Sequence, residues 1–366
     1  MDIDIAGLRP ERVAVVPSPL AELGMALHAL AEPGHHPGVQ GWVTSVTAGL
    51  DPHLADRMCE ADFLWRTTFS DLFIPSAGIP GRSTLPGATL TDELDLLDKL
   101  TDEQFVDAAL EFTCVPPYHS HGPGMLSDGD VRRRALELAA SRGPRQVRFS
   151  ERLLDDPPRI RSWLRQFLED CDQAFFADTW SRLRHQLAAD ARHTTDVLRR
   201  RGLGEALASV SPALTLHEAA ARITVDKLAG GHTATGDGGL LLVPTSLGRP
   251  HLSVLYRYGW QPVLHYPVGS PELAAPPSVE QVALRMTALS HPVRMRICRN
   301  LARSAYTTSE LARVHGMSAP EISRHLSVLK KAGLVTTRRR GRYVLHQLDV
   351  TVVARLGSDF LEGVLR

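Results

Sequence analysis

The chain is poor in lysine, asparagine and cysteine, and each shortage removes a class of explanation. Among 366 residues there are four lysines (Lys99, Lys227, Lys330, Lys331) and one asparagine, Asn300. Arginine is the ordinary cation here, a bias expected of a GC-rich bacterial genome, so arginine number means little and arginine placement has to carry any argument. The four cysteines, Cys59, Cys114, Cys171 and Cys298, lie far apart with no CxxC pair. That argues against a disulfide framework and predicts reduced, mostly buried thiols in a cytoplasm. No apolar run is long enough to cross a bilayer, and the opening MDIDIAGLRPERVAVV lacks the apolar core of a signal peptide. Catalytic signatures are missing as well. There is no GxSxG elbow and no HExxH, and the glycine-rich GGHTATGDGG (230–239) is not followed by GK[ST], so no phosphate cradle is expected there.

What is present describes a soluble two-domain protein, with 43% hydrophobic and 22% charged residues. Over the first 270 residues, helical periodicity marks SPLAELGMALHALAE, DPHLADRMCEADFLWRTTF and TDELDLLDKLTDEQFVDAALEF. The longest helical pattern runs from about Arg159 to Arg201, with Trp163, Phe167, Phe175, Trp180, Leu183, Leu187 and Leu198 as core positions. After Gly202 the period shortens. ALTLH, RITVD, LLLVP, HLSVLYR and PVLHYP read as strands separated by Gly, Pro and Asp, which predicts a small antiparallel sheet of hairpins with a turn at Asp237-Gly238. The expected class is α+β: a mainly helical N-terminal domain (1–270), a linker rich in Pro, Ala and Ser (271–278), and a C-terminal domain (279–366).

Charge separates the two parts. Residues 278–366 carry 15 Lys+Arg against 6 Asp+Glu, a net of +9; the remainder carries 26 against 35, a net of −9. A basic module on an acidic one points to a polyanionic partner for the former. Its local signals are dense. A helix opens near Ser278, and HPVRMRICRNLARS gives a second. TTSELARVHG begins with a capping box, Thr307 with Glu310, and ends at Gly316. SAPEISRHLSVLKKAG repeats the device with Ser318 and Glu321, and Pro320 sits in the first turn. Two short capped helices joined by a glycine turn predict a helix-turn-helix. LVTTR and RYVLHQL then form a hairpin whose tip concentrates Arg338, Arg339, Arg340 and Arg342, as a wing would. A final amphipathic stretch aligns Val353, Leu356, Phe360 and Val364.

On the second capped helix, Ile322, Leu326 and Leu329 form the buried stripe, which leaves Ser318, Pro320, Ser323, Arg324 and Ser327 facing DNA. His325 is assigned to packing or to phosphate, and Lys330 and Lys331 to phosphate or solvent. The wing arginines suit phosphates and a narrow minor groove.

LSHPVRMRICRNLA, the block from TTSELARVHG to KKAGLV, and RRRGRYVLHQL resemble the ArsR-type winged helix of bacterial transcription regulators, over about residues 279–350. The resemblance implies a dimer through residues 280–289 and 350–365, an operator in double-stranded DNA, and a role as repressor. SPLAELGMALHAL, HHPGVQGWV, DFLWRT and GGLLLVPTSLGRPHLSVLYRYGWQPVLHYPVG resemble an uncharacterised domain found before the winged helix in some such regulators of high-GC bacteria.

Metal sites are not expected. TTSELARVHG holds no cysteine, and the stretch from Val350 holds no histidine, so the usual ligands of metal-sensing members are missing; Cys298 stands alone. In the N-terminal domain, His119 and His121, and His35 and His36, form pairs without neighbouring Cys or carboxylate partners and read as loops. The expected protein is a cytoplasmic, dimeric, non-enzymatic regulator without cofactor. Its N-terminal domain would sense a non-metal effector, a small molecule or a partner protein, with an enzymatic module as the alternative.

Overall fold

The computed structural model describes residues 1–66, 69–79, 85–114, 124–227, 231–268, 278–302, 304–340 and 343–349, and beyond these 352–353, 356–357 and 359–360; at 111–114, 340 and 343 it describes the backbone alone. Two compact units divide the chain, Met1–Val268 and Gly269–Leu365. Of the expected linker, residues 271–277 lie outside the described residues, as do His119, His121, Gly341 and Arg342.

The first unit is α+β and mainly helical. After β1 (Asp2–Asp4) and β2 (Val13–Val15) come α1 (Pro19–Ala31), α2 (Gln40–Gly49), α3 (Pro52–Glu60), α4 (Leu90–Leu97), α5 (Asp102–Cys114), α6 (Gly129–Arg142), α7 (Pro144–Asp155), α8 (Pro157–Cys171), α9 (Ala177–Arg201) and α10 (Leu203–Val210). Then follow β3 (Leu214–His217), β4 (Arg222–Val225), β5 (His232–Ala234), β6 (Leu240–Thr245), β7 (Ser253–Leu255) and β8 (Val263–Pro267).

Side chains explain most of the breaks. The helical pattern over 91–112 is two helices because Thr101 and Gln104 cap a new start, each bonding the other's backbone N–H. DPHLADRMCE is helical, with Asp51 accepting from the N–H groups of His53 and Leu54, but the chain then tightens into a 3-10 turn at Asp62–Leu64. The long 159–201 pattern holds nearly throughout, as α8 and α9 joined by a π-turn at Asp172–Phe176. Its aromatics join the core, Phe167 and Phe175 buried and Trp163 and Trp180 partly buried against them; Trp163 and Trp65 both stack on Phe167, with centroid distances of 5.7 and 5.6 Å.

The five expected strands form, as β3, β4, β6, β7 and β8, but β1, β2 and β5 were not expected and the pairing departs from a set of antiparallel hairpins. They form two mixed four-stranded sheets, ordered β3-β4-β1-β5 and β2-β6-β8-β7. The N-terminal strands insert between or beside late ones, β1 parallel to β5 and β2 parallel to β6. The turn at Asp237-Gly238 connects β5 to β6, which belong to different sheets, so it closes no hairpin. Both faces of β6 are buried, which suits a parallel pairing partner better than an edge. Two cores result, one among the helices around Trp65, Phe105 and Phe167, the other around Ile3, Leu187, Leu242 and Tyr266.

The second unit contains α11 (Val279–Leu289), α12 (Pro292–Leu301), α13 (Thr308–His315), α14 (Ala319–Lys331), β9 (Val335–Arg340) and β10 (Tyr343–Leu348). Ile297, Leu301, Leu311, Ile322, Leu326, Leu329 and Leu334 make its core. Beyond Asp349, the described residues Val352, Val353, Leu356, Gly357, Asp359 and Phe360 are helical.

Candidate nucleic-acid interface

Both capping boxes are present. Thr307 accepts from the Glu310 N–H, and the Glu310 carboxylate accepts from the Thr307 N–H at 2.7 Å. Ser318 and Glu321 do the same at the start of α14, at 3.4 and 2.9 Å. Each exchange satisfies two otherwise orphaned donors and fixes where the helix begins. Gly316 closes α13 in the left-handed region at φ 62°, where a side chain would be strained. The start of α14 is thereby set relative to α13, which is what a recognition helix requires.

The faces of α14 separate as periodicity predicts. Ile322, Leu326 and Leu329 are buried, while Ser318, Pro320, Ser323, Arg324, Ser327, Lys330 and Lys331 are exposed. Two side chains are more committed than the sequence suggests. The Ser318 hydroxyl donates to Glu321 at 2.7 Å as well as accepting from its N–H, so the cap uses its only donor and one of its two lone pairs. His325 is half-buried, its ring 5.1 Å from that of His291 at the start of α12. Burial, followed by the charges of His291, Arg294 and Arg324, lowers the His325 pKa, which favours the neutral, packed ring.

The wing is a regular antiparallel ribbon with Arg338 opposite Leu345, Arg339 opposite Val344 and Arg340 opposite Tyr343. Arg338 and Arg339 are exposed. The Arg340 side chain and all of Arg342 fall outside the described residues. The ribbon is tied to the helices by paired backbone bonds between Tyr306 and His346 (2.9 and 2.8 Å), and the buried His346 ring meets the Thr308 hydroxyl at 3.2 Å. Charge on the wing is thus held at a fixed place relative to α13 and α14.

The first unit shows an arrangement that the sequence reading missed. His35 and His36 were expected to lack ligand partners, yet His28 and His251 stand beside them. His28 is one short turn away at the end of α1, whereas His251 arrives from the segment between β6 and β7. Nothing local in the sequence links it to the HHP stretch. Elsewhere, an open hollow of about 400 Å³ is lined by Asp56, Cys59, Glu60, Arg145, Arg148, Phe149 and Arg152. No described helix is long and apolar enough to cross a membrane.

Capped helix, turn, capped recognition helix and basic ribbon in this order define an ArsR-type winged helix-turn-helix module, and residues 289–338 match the family model described as a helix-turn-helix domain. Residues 1–272 match the model of a family of unknown function (DUF5937). That match covers most of the chain, and the chain belongs to this family. Relatives of the second unit are named regulators. The biofilm growth-associated repressor of Agrobacterium fabrum is 33% identical over 76 residues, which are 21% of this chain and 65% of that protein. The HTH-type transcriptional regulator Rv2034 of Mycobacterium tuberculosis is 42% identical over 72 residues, 20% of this chain and 67% of that protein. Among solved structures, the homodimeric winged helix-turn-helix DNA-binding domain of Mb0332 from Mycobacterium bovis is 32% identical, covering 22% of this chain and 74% of that one, with a TM-score of 0.21.

Proposed function

We propose that this protein is a cytoplasmic, dimeric transcriptional repressor that reads an operator through α14 and the wing, and whose N-terminal domain receives the effector. The observation that carries the reading is the exposed face of α14, with Ser323, Arg324 and Ser327 opposite a fully buried stripe, next to a ribbon presenting Arg338 and Arg339. Ser323, Arg324 and Ser327 reach base edges; Lys330, Lys331 and the wing arginines, Arg340 and Arg342 included, hold phosphates. Pro320 shapes the entry of α14, Ser318 caps it, and His325 packs.

The sign of regulation follows the named repressors to which the module is similar. Dimerisation uses α11 and the C-terminal helix, where Leu284, Met286 and Phe360 leave 42–47% of their surface exposed in the single chain. An exposed apolar face on a DNA-binding module fits a second copy. No catalytic role is assigned to the N-terminal domain, whose acidic balance sets it apart from the DNA-binding part.

Genome-wide mapping of binding sites, followed by titration of a recovered site against random duplex at several salt concentrations, tests the reading. Preference for a site with two related halves is expected. Equal affinity for all duplexes, or no binding, would overturn it.

A further inference from the structure

Four histidines from separate stretches of the first unit meet at the C-terminal end of α1. His28 lies in its last turn, His35 and His36 follow in the next loop, and His251 comes from between β6 and β7. The His28 ring centre is 5.8 Å from that of His35, 4.9 Å from that of His36 and 5.1 Å from that of His251. His251 in turn stands 5.7 Å from His35 and 5.0 Å from His36. His28 and His36 are buried, and the other two are half-buried.

Backbone carbonyls decide which nitrogens are available. His28 Nδ1 faces the Trp65 carbonyl oxygen at 2.6 Å, and His36 Nδ1 faces that of Arg249 at 2.7 Å. A carbonyl only accepts, so both Nδ1 atoms carry hydrogen and both Nε2 atoms carry a lone pair. Metal-binding imidazoles are oriented this way, one nitrogen held by a carbonyl and the other on the ion. The free lone pairs lack donors: His36 Nε2 and His35 Nδ1 are buried without a hydrogen-bond partner. A cluster built for hydrogen bonding would not leave these atoms unmatched.

The spacing also fits an ion better than direct contact. His28 Nε2 and His251 Nε2 are 3.4 Å apart, at the far end of hydrogen-bond range. Two nitrogens bound tetrahedrally to one ion at about 2.0–2.1 Å would stand about 3.3–3.4 Å apart. One ligand atom from each of His28, His35 and His251 lies within 4.8 Å of the others, so side-chain shifts of under about 1 Å bring all three onto one ion.

We propose that His28, His35 and His251 bind one late first-row divalent metal ion, of which Zn²⁺ is the reference case, with His36 beside them as the fourth nitrogen. A nitrogen-only donor set selects against Mg²⁺ and Ca²⁺, which require oxygen. Charged groups around the cluster oppose one another: Glu32, paired with Arg66 at 3.6 Å, and Lys227, whose burial brings its pKa down to about 8. Metal binding by the first unit is measured without DNA, so this proposal and the proposed function can fail separately.

The test is competitive titration of chelator-treated full-length protein with Zn²⁺ against a chromophoric chelator. One ion per chain is expected. H35Q and H251Q, both at half-buried positions, should each weaken binding at least about tenfold and together about 100-fold or more. H53Q, at an exposed position on α3, should leave it unchanged. X-ray absorption of the zinc-loaded wild-type protein should show nitrogen neighbours and no sulfur, which separates this site from capture by the exposed thiol of Cys59. Sulfur in the first shell, or a double variant that binds as tightly as wild type, would sink the idea. If H251Q does not fold, the wild-type absorption spectrum decides.

Discussion

At the scale of single residues, the wing and the recognition helix should fail differently. Arg338→Ala combined with Arg339→Ala should weaken operator and random DNA alike, and reduce the salt slope by about 2, because these side chains supply charge without sequence information. Arg324→Ala or Ser323→Ala should instead narrow the gap between operator and random duplex by about 1–3 kcal/mol. Anisotropy titrations across several salt concentrations distinguish the two, and wing variants that lose only sequence preference would refute the division. Ser318 belongs to neither class. With its hydroxyl tied up in the cap, Ser318→Ala should cost about 1 kcal/mol of stability in the second unit, measured by denaturation, with sequence preference kept. The buried stripe of α14 was legible because a helix repeats every 3.6 residues, and three apolar positions at that spacing face one way. Ser318's commitment was half legible: the box was visible, but not that it uses the hydroxyl's only donor. Of the histidine cluster only the His35-His36 pair was legible, since three-dimensional proximity of His251 to His36 has no signature at short range.

At the scale of elements, three buried carboxyl groups carry the predictions. Asp359 of the C-terminal helix meets Arg285 of α11 at 2.6 Å, with side chains 4% and 13% exposed. Removing one member strands a buried charge, so Asp359→Ala should cost about 3–5 kcal/mol and loosen the expected dimer helices. A thermal melt close to that of the parent protein would contradict this. In the first unit, Glu93 of α4 accepts from the Ser18 hydroxyl and the Leu20 N–H at the start of α1. Burial pushes its pKa up to about 8, and burial brings Glu22 of α1 to about 7. A raised folded-state pKa means the protonated form is the one the fold favours. Its contribution is complete below the ordinary value of 4.5 and is lost as pH rises through about 7 to 8. Denaturation midpoints should therefore fall between pH 5 and pH 8, and Glu93→Gln should flatten the fall. All five tryptophans lie in residues 1–268, so their fluorescence reports this unit by itself. A midpoint rising over that range would refute the assignment. The elements of the second unit were readable because caps, a left-handed glycine and a hairpin are all decided within a few residues. The sheets of the first unit were not, because strands of three to six residues acquire their order and direction from partners far along the chain.

At the scale of the whole molecule, the opposed charges of the two parts make a quantitative claim. A fragment from about Pro271 to Arg366 should fold, pair through α11 and the C-terminal helix, and bind random DNA more tightly than the full chain at equal salt. The part removed carries 26 Lys+Arg against 34 Asp+Glu, a net charge of −8, and repels phosphate. A fragment that is folded by circular dichroism but neither pairs nor binds DNA would show that the N-terminal domain builds the dimer. The placement of β1 and β2 also has a consequence for synthesis. Val13 pairs with Leu240, and Ile3 with Ile223. At ordinary elongation rates, β2 waits roughly 10–45 s on the ribosome before β6 is made. Neither sheet can close until nearly all of the first unit has emerged, so a nascent chain stalled before β6 carries unpaired strands for a chaperone to shield. The helix-turn-helix is translated after the first unit, and its basic surface emerges only once the preceding domain has its complete set of strands.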